Sequence, residues 1–305
     1  MATGSLYRDF IYPPFSVFDA RAGWWQTRKR AWLELGIQSE RGRAANLLSG
    51  YANAMATFNK QKGNDGPVGD WASKSVFDPV LCELAYAWFS PSRGTILDPF
   101  AGGSVRGIVA ALMGRNYVGI DLRAEQVEEN DLQALQICPN QRPRWITGDA
   151  VHLRRLWRGR ADFIFTCPPY GDLERYSNDP SDLSNMHYDV FLGSFRAVVK
   201  QAARQLLDNR FAAFVVGDFR DKNGIYRGFV NDTVNACKDA GLLFYNDAVL
   251  VTAGGSLPMR TRGSFEASRK LGKGHQNVLI FVKGDPAMAR KELGNVEPCV
   301  AITTA

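Results

Sequence analysis

The chain has 305 residues, of which 45% are hydrophobic, 22% charged and 11% aromatic, a composition that excludes a disordered chain, a collagen-like repeat and a disulfide-stapled miniprotein. Lys and Arg number 37 against 31 Asp and Glu, a formal charge of +6 that permits a nucleic-acid partner without establishing one. Five cysteines, Cys82, Cys138, Cys167, Cys237 and Cys299, form no C-x-x-C pair, which argues against zinc, against a disulfide framework and for a reducing compartment. No stretch approaches 18 consecutive apolar residues, and MATGSLYRDFIYPPFS has neither a basic n-region nor an apolar core. The expectation is a cytoplasmic protein, neither secreted nor membrane-spanning.

Residues 1–70 read as an aromatic and basic N-terminal extension, with Trp24, Trp25 and Trp32 interleaved with Arg28, Lys29 and Arg30, closing on the loop-like NKQKGNDGPVGD. From about residue 75 apolar runs alternate with helical patterns. TILDPF (95–100), a helix over 105–114, YVGIDL (117–122) and an amphipathic helix over 123–137 form a β-α-β-α series, the pattern of a parallel sheet. RWITGD, DFIFTCPPY, a helix near 188–207, FAAFVVGDF, a helix near 227–240, GLLFYNDAVLV and HQNVLIFVKG continue it. The count is seven strands, the last two joined by a long loop at 252–274, in a domain spanning 71–286 with a tail at 287–305.

Three successive strands end in a carboxylate. The first runs through Asp98, Pro99, Phe100, Ala101 and Gly102 straight into a helix, and such a small-residue turn lets main-chain N–H groups approach a ligand. The second ends in Asp121 and Leu122, about 20 residues beyond the glycines, where an acid can accept from ribose hydroxyls. The third ends in Asp149 and Ala150, where the carboxylate either accepts from an adenine amino group or caps the following turn. The fourth strand runs through Thr166 into Cys167, Pro168, Pro169 and Tyr170. Two prolines cannot continue a ladder, so the backbone leaves the sheet extended, with carbonyl acceptors beside an aromatic platform. That arrangement suits a planar heterocycle bearing an amino group.

In their order and spacing DPFAGGS, GIDL, GDA and TCPPY resemble motifs I to IV of the S-adenosylmethionine-dependent amino-methyltransferases of DNA, and most closely the phage and prophage-type enzymes. The resemblance covers roughly residues 75–284, with SVFDP (75–79) in the place of motif X and VVGDFR (215–220) similar to motif VI. It implies a Rossmann-like class I methyltransferase fold, seven-stranded and mostly parallel with the last strand antiparallel. It implies S-adenosylmethionine as cofactor, held by Ser75, Phe77, Asp98, Pro99, Phe100, Ala101, Gly102, Asp121, Leu122, Asp149, Ala150 and Thr166; the scattered His152, His187 and His275 show no metal-ligand spacing, so no metal is expected. It further implies DNA as partner, with the target base extruded from the duplex against Cys167, Pro168, Pro169 and Tyr170. The Pro168 carbonyl would draw the amino nitrogen toward tetrahedral geometry while Tyr170 stacks on the base.

The family has Asp, Asn or Ser where this chain has Cys167, and a thiol is a weak acceptor. Either the Pro168 carbonyl dominates, or Thr166 or Asp172 assists, or the thiol attacks carbon 6 of a pyrimidine for methylation at carbon 5. Adenine at its exocyclic nitrogen is the expected target, with cytosine at its exocyclic nitrogen second and a cofactor-binding module without turnover as the non-enzyme reading. For DNA the expected contacts are Arg28, Lys29 and Arg30 in the extension, and Arg260, Arg262, Arg269, Lys270 and Lys273 in the 252–274 loop, where Glu266 is the single acid. Residues 171–189 read as a polar lid. Target sequence and oligomeric state stay open, a homodimer included.

Overall fold

The computed structural model describes residues 4–38, 77–171, 182–252 and 257–297. Eight strands form one sheet: β1 (Val17–Asp19), β2 (Thr95–Asp98), β3 (Asn116–Asp121), β4 (Arg144–Thr147), β5 (Ala161–Thr166), β6 (Leu206–Val216), β7 (Leu243–Val251) and β8 (His275–Lys283). Their spatial order is β1-β7-β8-β6-β5-β2-β3-β4. All pairings are parallel except those of β8, which runs antiparallel to both β6 and β7. The expected class of fold is present, antiparallel last strand included. The count rises from seven to eight because Val17–Asp19, within the N-terminal extension, pairs with Val249–Val251 at the sheet's edge.

The helices are α1 (Ser5–Phe10), α2 (Gly23–Glu34), α3 (Pro79–Phe89), α4 (Val105–Leu112), α5 (Ala124–Ile137), α6 (Leu153–Leu156), α7 (Tyr188–Gln205), α8 (Phe229–Asp239), α9 (Leu257–Ser268) and α10 (Pro286–Leu293). Strand alternation sends side chains to opposite faces. Phe163, Phe165, Ala213, Val215 and Ile280 enter one core with α2, α3 and α4, while Ile164, Ala212, Phe214 and Phe281 enter the other with α7 and α8. Helix α3 starts where its sequence dictates: Pro79 occupies the first turn, where its missing N–H costs nothing, and Asp78 caps Val80 N at 3.0 Å.

Residues from Ile11 to Ile37 share the first core, with Trp25 and Trp32 fully buried. The extension is therefore built into the sheet's packing over its described part. The tail begins as α10, tied to β6 by an Arg210–Glu292 ion pair. The 252–274 segment is also not wholly a loop, since α9 occupies Leu257–Ser268. Among the described residues no helix is long and apolar enough to cross a membrane.

Candidate active site

Successive connections leave β2 in opposite directions, through α4 to β3 on one side and eventually to β5 on the other, and a ligand crevice forms at such a switch beyond the strands' carboxyl ends. Here that edge opens into a cavity of about 610 Å³, within the range of small-molecule sites. Phe77, Pro99, Phe100, Ala101, Gly102, Asp121, Leu122, Asp149, Ala150, Cys167, Pro168, Pro169 and Tyr170 all line it. Ser75 and Asp172 lie outside the described residues, as do residues 172–181 of the 171–189 segment expected to form a lid.

Two expected cofactor residues face elsewhere. Asp98 is wholly buried and surrounded by donors: Arg106 Nε at 2.5 Å, Thr166 Oγ1 at 2.6 Å, Tyr117 Oη at 2.7 Å and Phe100 N at 3.2 Å. Thr166 is equally buried and spends its hydroxyl on Asp98. Neither lines the cavity. Their hydrogen bonds tie the first turn to β3, α4 and the end of β5, so they build the site's wall.

Asp121 is placed differently. Its Oδ2 accepts from Gly102 N and its Oδ1 from Arg123 N, each at 2.9 Å. Each carboxylate oxygen retains a further lone pair toward the cavity. Burial pushes its pKa up, against the pull of those two amides and of Arg123. Gly102 has φ +52° and no atom within 4 Å of where a Cβ would sit, so the turn offers open space to a ligand. Gly119 is required for the opposite reason, since a Cβ there would lie 2.8 Å from that of Ala101. The turn is locked further by Ala101 N donating to Ile120 O at 2.9 Å and Asn130 Nδ2 to Gly102 O at 2.8 Å. Asp149 lines the cavity and also caps the next turn, its Oδ1 accepting from Val151 N at 2.9 Å.

At the β5 end, Cys167 is half-buried and Pro168 buried. Tyr170 Oη accepts from Gln276 Nε2 at 2.8 Å, and its ring rests against Phe219 and Phe229 at centroid distances of 6.2 and 6.3 Å. Gly217 packs between Tyr170 and Lys273: a Cβ there would stand 3.7 Å from Tyr170 Oη and 3.8 Å from Lys273 Cε.

The expected DNA contacts separate into two groups. Arg28 and Lys29 are engaged internally, Arg28 forming a fork on buried Glu83 at 2.5 and 2.8 Å and Lys29 meeting Asp78 at 3.0 Å. Trp32 Nε1 joins Glu83 at 2.8 Å, and Lys29 lines the cavity. Both side chains are thus paired within the protein, and of the three Arg30 is the exposed one. Around α9 the cations differ in exposure, Arg262 and Arg269 being exposed and Lys270 and Lys273 half-buried. Arg262 is exposed beside Glu266, Arg269 covers Phe265, and Arg260 belongs to the same helix. Lys270 lies against Gly224, and Lys273 over the Tyr226 ring at 5.9 Å with Arg220 on the same ring at 3.8 Å. Burial lowers the Lys273 pKa, with Asp218 opposing.

Sequence reasoning missed Arg106, Asp78, Gln126, Asp182 and Gln276, all of which line the cavity. One signal was available: Gln126, Asn130 and Gln133 fall at i, i+4 and i+7, a polar stripe on the buried face of α5 where apolar residues belong. Gln133 uses that position to bind Gln38 and Ser104.

Residues 85–132, which carry β2, the first turn and β3, match the family model described as DNA methylase of the N6/N4 type. No curated protein matches the chain. Among solved structures it is similar to TrmN from Thermus thermophilus at 16% identity and a TM-score of 0.46, covering 68% of this chain and 49%, about half, of that one. A methyltransferase from Pyrococcus furiosus aligns at 14% identity and a TM-score of 0.45, over 77% of this chain and 100% of that one. Magnesium protoporphyrin IX methyltransferase (ChlM) from Synechocystis PCC 6803 with bound SAM gives 14%, 0.45, 77% and 93%. The match over 85–132, which spans the first two motifs in their expected order, supports an amino-methyltransferase family.

Proposed function

We propose that the protein transfers a methyl group from S-adenosylmethionine to the exocyclic amino nitrogen of adenine in DNA. The observation that carries this reading is one cavity onto which Asp121, Asp149 and the Cys167–Tyr170 turn all open, on adjoining strand ends. The donor set suits the cofactor: Asp121 is braced by two amides with acceptor capacity left over for ribose hydroxyls, Asp149 does the same for an adenine amino group, and the Gly102 turn leaves room for a chain between them. When bound, S-adenosylmethionine supplies an electrophilic methyl group on a sulfonium.

The chain's own part is positioning. A base extruded from the duplex enters beside Tyr170, whose hydroxyl is held by Gln276 so that the ring stays fixed as a stacking surface. The Pro168 carbonyl accepts from the base's amino group and turns its nitrogen lone pair out of conjugation. Thr166 is wholly buried and off the cavity, its hydroxyl donating to Asp98, which leaves the carbonyl as the acceptor at this corner. Lys273 stands across Gly217 from Tyr170 on this side of the cavity, and together with the exposed Arg262 and Arg269 it would meet phosphates, which favours a duplex substrate. Cys167 lines the same cavity, and this contact is what supports the second reading, a covalent route to carbon 5.

Methyl transfer from labelled cofactor to duplex DNA, RNA and free nucleotides tests the assignment in both wild type and Cys167→Ser. Incorporation is expected in duplex DNA, with Cys167→Ser within about tenfold of wild type, because removal of a true covalent nucleophile costs on the order of a million-fold. Loss on that scale would favour the carbon-5 route, and incorporation into RNA or nucleotides alone would remove DNA as substrate.

A further inference from the structure

The guanidinium of Arg106, on α4, is 5% exposed and yet lines the cavity. Arginine carries five N–H donors. Nε donates to Asp98 Oδ2 at 2.5 Å, and Nη2 to the carbonyls of Phe100 and Ala101, each at 2.7 Å. Nη1, with two N–H groups, has no acceptor among the described residues. Phe77 covers the guanidinium at 4.5 Å from Cζ to ring centroid, which leaves the cavity as the outlet for Nη1. Burial disfavours the cation, but Asp98, Tyr117 and Cys167 together outweigh it and hold the Arg106 pKa above the usual arginine value. Donors left unmet on so buried a cation are costly, and a carboxylate is the acceptor that returns most.

The position of Arg106 fits one particular carboxylate. Along the cavity edge the order is Asp149 at β4, Asp121 at β3, Arg106 behind the turn at β2, and Cys167–Tyr170 at β5. A ligand with adenine at β4 and ribose at β3 brings its amino-acid end to β2. We propose that Arg106 Nη1 binds the α-carboxylate of the cofactor's methionine portion, with Asp98 acting as the group that orients the guanidinium. This inference rests on the reading of the cavity as an S-adenosylmethionine site.

Binding calorimetry with S-adenosylhomocysteine and its decarboxylated analogue, in buffer free of phosphate and sulfate, tests it without any turnover. On wild type the decarboxylated analogue is expected to bind about tenfold more weakly or worse, the loss of one charge-assisted hydrogen bond. Arg106→Lys keeps a cation for Asp98 and loses Nη1; in it the two ligands are expected to bind within about twofold of each other, the analogue near its wild-type affinity. Equal affinities on wild type overturn the proposal, a measurement that needs no variant to fold. Arg106→Lys with the wild-type ratio intact overturns it as well. If neither ligand binds wild type, the cofactor reading itself fails.

Discussion

Asp98 and Asp121 each end a strand and are equally conspicuous in the sequence, and their surroundings give them different work. Four protein donors saturate Asp98, whereas Asp121 meets two amides and opens on the cavity. The chain order of the acids, the small-residue turn and the Pro-Pro-Tyr corner were legible in one dimension. Which acid faces a ligand was not, because it depends on Arg106, Tyr117 and Thr166 arriving from three different elements. Asp121→Asn should weaken S-adenosylhomocysteine binding about tenfold, roughly 1.5 kcal/mol for a hydrogen bond to a charged group. Because burial raises the Asp121 pKa, the wild-type affinity should fall on the acid side at a higher pH than an ordinary carboxylate would dictate, and Asp121→Asn should lack that fall. The stability sign is the reverse: a raised folded pKa contributes stability below the ordinary carboxylate range, lost as pH rises through the raised value. Paired titrations of wild type and variant across the acid range read both effects.

At the scale of elements, strands β2 to β8 and helices α4, α5, α7 and α8 were readable from period, within about five residues at their ends, whereas β1 and α3 were not. Helix α2 was not either. Its W-W-x-x-R-K-R pattern is that of a nucleic-acid grip as much as of a packed helix, and the deciding partner, Glu83, lies about 50 residues away on α3 with no exposure of its own. Glu83→Leu leaves the Arg28 guanidinium and the Trp32 indole without their acceptor and should cost about 3 kcal/mol, as expected when one partner of a buried ion pair is removed. Arg30→Ala, on the exposed face of the same helix, should stay within about 0.5 kcal/mol. Urea denaturation midpoints of the two variants measure the contrast. Helix α9 escaped sequence reading for a related reason: Gly263 and Pro258 interrupt its pattern, and the Arg262–Glu266 pair at i, i+4 is too weak a signal to announce a helix.

For the whole molecule, the charge of +6 looked like two basic patches, at 21–43 and at 252–274. Folding treats them unequally. In the described part of the first, Arg21, Arg28 and Lys29 are matched by Asp19, Glu83 and Asp78, whereas in the second Arg262 meets Glu266 only at the exposed surface and Lys273 stands across Gly217 from Tyr170. The carboxyl edge of the sheet presents one cavity lined by Asp121, Asp149 and the Cys167–Tyr170 turn. In the proposed reaction a methyl group passes beside that turn onto an exocyclic amino nitrogen. Mass spectrometry of nucleosides digested from duplex DNA methylated by the purified protein tests it most directly. N6-methyladenosine as the deoxynucleoside is the predicted product, and a methyl group found only at carbon 5 of cytosine would contradict the account.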